Sequence, residues 1–151
     1  MLKQLIYIFG ISMIPVVELR GAIPVGIGLG LPAWQVALAA MAGNLLPVPV
    51  LILFTRRVFE WLRSMSPKLE RLVTRLEKRA ASKERLIRKY ELLGLMILVA
   101  IPLPGTGAWT GALVAAVFDI RLKRAMPAII LGVVIAGAIV TLLSCGVAAV
   151  I

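Results

Sequence analysis

A short phrase rich in proline and glycine occurs twice in this chain, each time within a long apolar stretch. The two copies are Ala22-Ile23-Pro24-x-Gly26-x-Gly28 and Ala100-Ile101-Pro102-x-x-Gly105-x-Gly107. A further proline follows each copy in apolar sequence, 23 residues after Pro24 and 25 residues after Pro102. Proline-broken apolar segments in corresponding positions of two halves are typical of membrane folds with a site near the bilayer midplane.

The composition supports an integral membrane protein. Of the 151 residues, 61% are hydrophobic and 16% are charged, and the mean hydropathy is +1.01. Such a chain is too apolar for a soluble domain. It contains no histidine and a single cysteine, Cys145. Histidine-based catalysis, metal clusters and an internal disulfide are therefore not expected. We predict a protein that is not an enzyme and has no metal or cofactor other than a proton gradient.

The formal charge of +10 is concentrated in one segment. Twelve of the 17 Lys and Arg residues lie within residues 56–89. A basic segment between apolar ones indicates the cytoplasmic side of a membrane, so we expect residues 56–91 to be cytoplasmic. Aromatic residues for base stacking are scarce in this segment, and we predict no nucleic-acid partner.

The first half is expected to contain a re-entrant hairpin and one crossing. The apolar run of residues 2–17 is shorter than the roughly 20 residues of a spanning helix. Helix-breaking and charged residues follow it, namely Glu18, Arg20, Gly21, Pro24, Gly26, Gly28, Gly30 and Pro32. This density predicts an opened backbone, which membranes tolerate only when it is buried in protein or lines a wet cavity. Residues 2–32 are thus a predicted hairpin, broken at Pro24, and residues 33–55 a predicted transmembrane helix.

The second half repeats this order. Residues 92–120 form a predicted hairpin broken at Pro102 and Pro104. Three basic residues follow it, Arg121, Lys123 and Arg124, and residues 125–150 then form a predicted transmembrane helix. The expected fold is all-α, with a first repeat (1–55), a linker (56–91) and a second repeat (92–151). One crossing in the first half makes the two repeats inverted, with both termini outside. The small buried area suggests a homodimer.

The linker is expected to contain an amphipathic helix over residues 67–90. Apolar residues recur there at three- and four-residue spacing, and Glu70, Glu77, Glu84 and Glu91 recur at seven. Three interpretations remain open: a solvated face with helix-stabilising ion pairs, a surface for anionic lipid headgroups, and short coiled-coil pairing.

Two stretches, residues 18–24 (ELRGAIP) and residues 101–111 (IPLPGTGAWTG), resemble the signature motifs of the small multidrug export protein family. That family is similar to the DedA/VTT superfamily of inner-membrane proteins. The resemblance covers most of the chain. It implies two re-entrant loops that face each other, a location in a bacterial or archaeal cytoplasmic membrane, and a role in lipid scrambling, lipid-phosphate recycling or proton-dependent export.

Glu18 and Arg20 are the only ionisable residues of the first hairpin from residue 8 to residue 32, and charges at membrane depth are a functional hypothesis by default. Because removal from water raises the pKa of a carboxyl group, Glu18 is the predicted proton-coupling residue. Arg20 is predicted to bind an anionic group with its planar fork. The alternative is a structural ion pair between the two.

The Gly105-Thr106-Gly107 turn precedes a helix, so its exposed N–H groups, with the hydroxyls of Thr106 and Thr110, suit an anionic headgroup. The alternative is a tight turn and nothing more. We therefore expect a DedA-like transporter that moves an anionic lipid phosphate or a small amphiphile between opposed hairpins. The other class of function that we expect is a non-transporting scaffold that binds membrane lipids or a partner through residues 67–90.

Overall fold

The structure, a computed structural model, describes residues 1–65, 67–68, 70–71, 74–75, 84–103 and 106–150. Every regular element within these residues is a helix, and none of them is in a strand, which confirms the predicted all-α class for this part of the chain. The helices are α1 (Leu2–Ser12), α2 (Glu18–Gly28), α3 (Ala33–Leu45), α4 (Pro47–Met65), α5 (Glu84–Ala100), α6 (Ala108–Val117) and α7 (Leu122–Val150).

Among the described residues, two helical segments are long and apolar enough to cross a membrane. They are Ala33–Val58, which comprises α3 and most of α4, and Leu122–Val150, which is α7. The predicted crossings, 33–55 and 125–150, lie within them. Only Leu46 separates α3 from α4, because Pro47 and Pro49 occupy the first turn of α4, where the missing N–H of proline has no intrahelical partner to lose.

Both short helix pairs are interrupted by irregular backbone. Residues 13–17 separate α1 from α2 and are called the first break; the described residues between α5 and α6, 101–103 and 106–107, are called the second break. Of the predicted break residues in the second hairpin, Pro102 lies in the second break, while Pro104 lies outside the described residues. At 11 residues each, α1 and α2 are only about 17 Å long.

The predicted break at Pro24 is wrong. Pro24 lies inside α2, which is helical from Glu18 to Gly28, and the chain opens earlier, around Pro15. The physical reason is packing: α2 lies against α1, α3 and α7, and a side chain at Gly26 would overlap Val36 of α3. Neighbouring helices can accommodate a proline within a membrane helix.

Helix packing is tight within each half and reciprocal between halves. α1 and α2 pack on α3, whereas α5 and α6 pack on α7; across the halves, α2 packs on α7 and α6 packs on α4. Glycines allow the closest approaches, because a methyl group at Gly43 would overlap the carbonyl oxygen of Phe9, and one at Gly132 would overlap that of Met96. Small residues are how helices approach closely in a membrane, where lipid is as apolar as the core.

The predicted linker is described in part. α4 extends past the predicted end of the first crossing to Met65, and α5 begins at Glu84, so one helix joins the end of the predicted linker to the second hairpin. Most of the predicted amphipathic helix of residues 67–90 lies outside the described residues or has no described side chains.

Candidate functional site

The two breaks face each other, and Arg20 of α2 reaches across to the second break. Its Nη2 donates to the carbonyl oxygen of Ile101 at 2.9 Å and to Oγ1 of Thr106 at 3.1 Å, and its Nη1 donates to the carbonyl oxygen of Leu103. These carbonyls lie just past the end of α5, and each also accepts a backbone N–H, that of Leu103 for Ile101 and that of Thr106 for Leu103. The cation also complements the negative end of the α5 dipole.

Thr106 completes this arrangement from the second break itself. Its hydroxyl lies 2.8 Å from the carbonyl oxygen of Ile101 and 2.9 Å from that of Leu103, so its single proton serves one of the two while its oxygen accepts from Arg20. Pro102 has no N–H with which to continue the helix. The side chains of Arg20 and Thr106 therefore add donors to carbonyls that already accept a backbone N–H, and they connect the second break to α2.

Glu18 reaches the other side of the second break, at the start of α6. The backbone N–H of Trp109 donates to Glu18 Oε1 at 3.4 Å. Gly107 is the residue before α6 and supplies no side chain, so Glu18 acts from a distant part of the chain as a helix-capping side chain does. Its charge complements the positive end of the α6 dipole.

The geometry at Glu18 depends on two unusual backbone positions. Glu18 itself has φ of 48°, in the left-handed region that residues with a side chain adopt rarely. Gly107 has φ of 151°, and a methyl group there would overlap Oε2 of Glu18. Strained backbone of this kind concentrates at functional sites. Only glycine lets the carboxylate, whose residue is 5% exposed, lie against the second break.

Trp109 of α6 donates a hydrogen bond to the first break. Its indole Nε1 donates to the carbonyl oxygen of Met13 at 3.1 Å, directly after the end of α1. The helix that follows each break, α2 or α6, thus supplies side chains that bond to the backbone at or beside the other break. The sequence predicted neither this contact nor the position of the first break, although Pro15 in the apolar run was a usable signal.

A cavity of about 450 Å³ lies where the breaks meet. Its lining combines the charged pair and threonine hydroxyls with apolar residues of both breaks: Pro15, Val16, Val17, Glu18, Arg20, Gly21, Pro102, Thr106 and Thr110. Four of the predicted site residues line this cavity, namely Glu18, Arg20, Thr106 and Thr110. Gly107 does not line it but lies against the carboxylate of Glu18. Gly105 lies outside the described residues. Glu18 and Arg20 turn to different ends of the second break, and no ion pair joins them.

Two further polar features lie away from the cavity lining. Asn44 in α3 is 1% exposed, and its amide oxygen and nitrogen have no hydrogen-bond partner within the part of the chain that the structure describes. Arg56 in α4 forms an ion pair with Asp119 at 3.0 Å and donates to the carbonyl oxygen of Ile120 at 2.9 Å. The second feature joins the end of the first crossing segment to the turn before α7.

A family model described as "Putative small multi-drug export protein" matches residues 18–139. The matched range begins at Glu18 and includes the second break and most of α7, so it covers the groups of both halves that meet at the cavity. The chain matches no curated protein and no solved structure.

Proposed function

Because this chain belongs to the small multi-drug export protein family, we propose that it is a membrane exporter whose small amphiphilic substrate crosses between the two breaks. The observation that carries this proposal is the cavity of about 450 Å³ lined by both breaks and by Glu18 and Arg20. Cavities of about 300–1,000 Å³ with apolar walls and a few polar groups are typical of small-molecule sites.

Helix lengths support a position of this cavity within the membrane. α1 and α2, at about 17 Å each, extend only partway through a hydrocarbon core of about 30 Å. A chain that turns back at such depth must line a cavity or be buried in protein, and the first break does line the cavity. We infer that both helix pairs are re-entrant.

Reciprocal packing supports inverted repeats, in a register that differs from the one the sequence phrases suggest. Glycines of the two crossings contact equivalent places: Gly43 lies against Phe9 and Ser12, and Gly132 lies against Met96 and Val99. The same spacing of 87 residues separates Phe9 from Met96, Ser12 from Val99 and Pro15 from Pro102. Pro15, rather than Pro24, is then the counterpart of Pro102.

The proton-coupled step in this proposal belongs to Glu18. It is the one acidic residue among those that line the cavity, and its carboxylate holds the N-terminus of α6. A proton on Glu18 removes the charge that favours this contact and weakens the connection between the two breaks. Substrate and proton would then use the same group in alternation, which is the requirement for exchange.

The test is transport by purified protein in proteoliposomes, with and without an imposed pH gradient. An uncharged amphiphilic dye, a cationic one and a fluorescent lipid phosphate serve as substrates. We expect gradient-dependent dye transport by wild type, and its loss in Glu18→Gln and Arg20→Ala. Glu60→Gln is the matched control, because it removes a carboxylate from an exposed position on α4 and should leave transport unchanged.

Each substrate has a separate meaning in this assay. Movement of lipid phosphate alone would replace the small amphiphile by a lipid, the other substrate that the sequence suggests. Wild-type protein that moves none of the three would refute the exporter. The scaffold would then be tested by neutralising Arg71 and Arg75, two basic residues of its predicted surface.

A further inference from the structure

The two charged side chains that line the cavity, Arg20 and Glu18, differ in how much of their hydrogen-bonding capacity is occupied by contacts within the protein. Arg20 has both terminal nitrogens bonded, to two backbone carbonyls and to Thr106. Its Nε is buried and has no partner among the described residues. Three of the five N–H groups of the guanidinium are thus used within the protein, and one N–H of Nη1 remains open besides the buried Nε. An anion that binds in the bidentate way through Nη2 would have to displace one of the acceptors at the second break.

Glu18 is less fully used. Its Oε1 accepts one long hydrogen bond, 3.4 Å from the N–H of Trp109, and Oε2 accepts none from the described residues. A carboxylate has about four lone-pair directions, so most of its acceptor capacity is open. Oε2 is absent from the fully buried unpartnered atoms, and Glu18 lines the cavity, so a ligand can reach this oxygen.

The carboxylate of Glu18 also occupies the N-terminus of α6, where an anion could otherwise bind. The N-terminus of α6 is the positive end of that helix, and the first N–H groups of a helix attract anions. Glu18 lies there and accepts from Trp109. A phosphate or carboxylate of a substrate would meet the like charge of Glu18 at this point.

The remaining wall suits the apolar body of a ligand. Pro15, Val16 and Val17 of the first break face the cavity together with Pro102 of the second. An apolar wall with one accessible carboxylate is complementary to a bulky apolar cation, because the carboxylate supplies a counter-charge and the wall supplies contact area.

We propose that the cavity selects amphiphilic cations, with Glu18 as their counter-charge, over anions of the same size. This assignment rests on the proposed function, since it names the substrate class of the same site. It also gives the proton and the cation one shared group, so that the binding of one excludes the binding of the other.

The test compares two probes that differ in charge and little else, tetraphenylphosphonium and tetraphenylborate. Binding of each to the purified full-length protein in a neutral detergent is measured by calorimetry at pH 8 and at pH 5. We expect the phosphonium to bind wild type at pH 8, to bind more weakly at pH 5, and to bind Glu18→Gln at least about tenfold more weakly. Glu60→Gln should bind as wild type does.

Several results would overturn the cation assignment. One is tighter binding of tetraphenylborate than of tetraphenylphosphonium; another is phosphonium binding that neither pH 5 nor Glu18→Gln weakens. Equal binding of both ions would end the charge preference and leave a cavity that binds amphiphiles, as an exporter requires. The pH comparison uses wild type alone, so it decides the matter even where Glu18→Gln fails to fold. Binding of neither ion to folded wild type would also overturn the cation assignment. The dye transport assay would then test the proposed exporter function separately.

Discussion

At the residue scale, two charged residues that are two positions apart, Glu18 and Arg20, bond to the backbone on opposite sides of the second break. Arg20 complements the C-terminal end of α5 and Glu18 complements the N-terminal end of α6. Each pairing places a charge where the helix dipole favours it. The arrangement gives both residues a structural role and leaves an oxygen of Glu18 for a ligand, so the structural and functional alternatives for this pair are compatible.

Gly107 should be essential for this contact. We expect Gly107→Ala to lower the free energy of unfolding by about 1–3 kcal/mol, because the methyl group meets the Glu18 carboxylate in a conformation that alanine adopts rarely. Thermal unfolding in detergent measures the change, and dye transport should fall with it.

Gly94→Ala is the matched control for this substitution. Nothing lies within 4 Å of a methyl group at Gly94, which is within α5, and alanine there should leave stability unchanged or raise it by up to about 1 kcal/mol. Equal stability of the two variants would show that the carboxylate does not lie against Gly107.

At the element scale, three prolines of the short helix pairs, Pro15, Pro24 and Pro102, have different roles. Pro15 and Pro102 lie in breaks, where the missing N–H helps to end a helix, whereas Pro24 lies within a helix held by its neighbours. The charged residues follow the first break only. The residues 87 positions after Glu18 and Arg20 in the sequence are Gly105 and Gly107. The first half of the chain therefore supplies the charges, and Gly107 of the second half allows the carboxylate of Glu18 to lie close to the backbone.

Substitution of the prolines should separate these roles. We expect Pro24→Ala to keep transport and to raise thermal stability, because it restores a backbone donor within α2. Pro102→Ala should reduce transport at least about tenfold, because a helix that continues past Ala100 withdraws the carbonyls that Arg20 binds. Transport lost in Pro24→Ala and kept in Pro102→Ala would return the first break to Pro24.

At the scale of the whole molecule, the Arg56–Asp119 pair relates the crossings to the membrane. It places the end of the first crossing segment beside the turn that precedes α7. Both basic clusters of the chain, within residues 56–89 and 121–124, adjoin this pair in sequence, as expected if they share the cytoplasmic face. The turn between α2 and α3 is at the opposite end of the first crossing.

Cysteine labelling tests this arrangement. Cys145, the single native cysteine, is first replaced by alanine, and cysteine is then introduced at Leu29 or Arg121, both exposed. In intact cells we expect a membrane-impermeant thiol reagent to label Leu29→Cys from outside. Arg121→Cys should react only after the cells are opened. Labelling of both from the same side would contradict the inverted arrangement.

The sequence by itself determined the class of protein and the residues with chemistry to offer. Apolar segments of limited length, a basic linker and two charges among apolar residues followed from composition and order alone, because burial in lipid restricts what each residue type can do. Both predicted crossings also lie within described helical segments that are long and apolar enough to span a membrane.

Only the tertiary structure decided where the chain opens and what the charges meet. Pro24 is compatible with a helix or with a break, and the choice depended on the packing of α2 against α3 and α7. Glu18 lies 91 positions from Trp109, and Arg20 lies 81 from Ile101. Helix ends attract charges wherever the fold brings them, so local pattern indicated that these residues need partners and the fold supplied the partners.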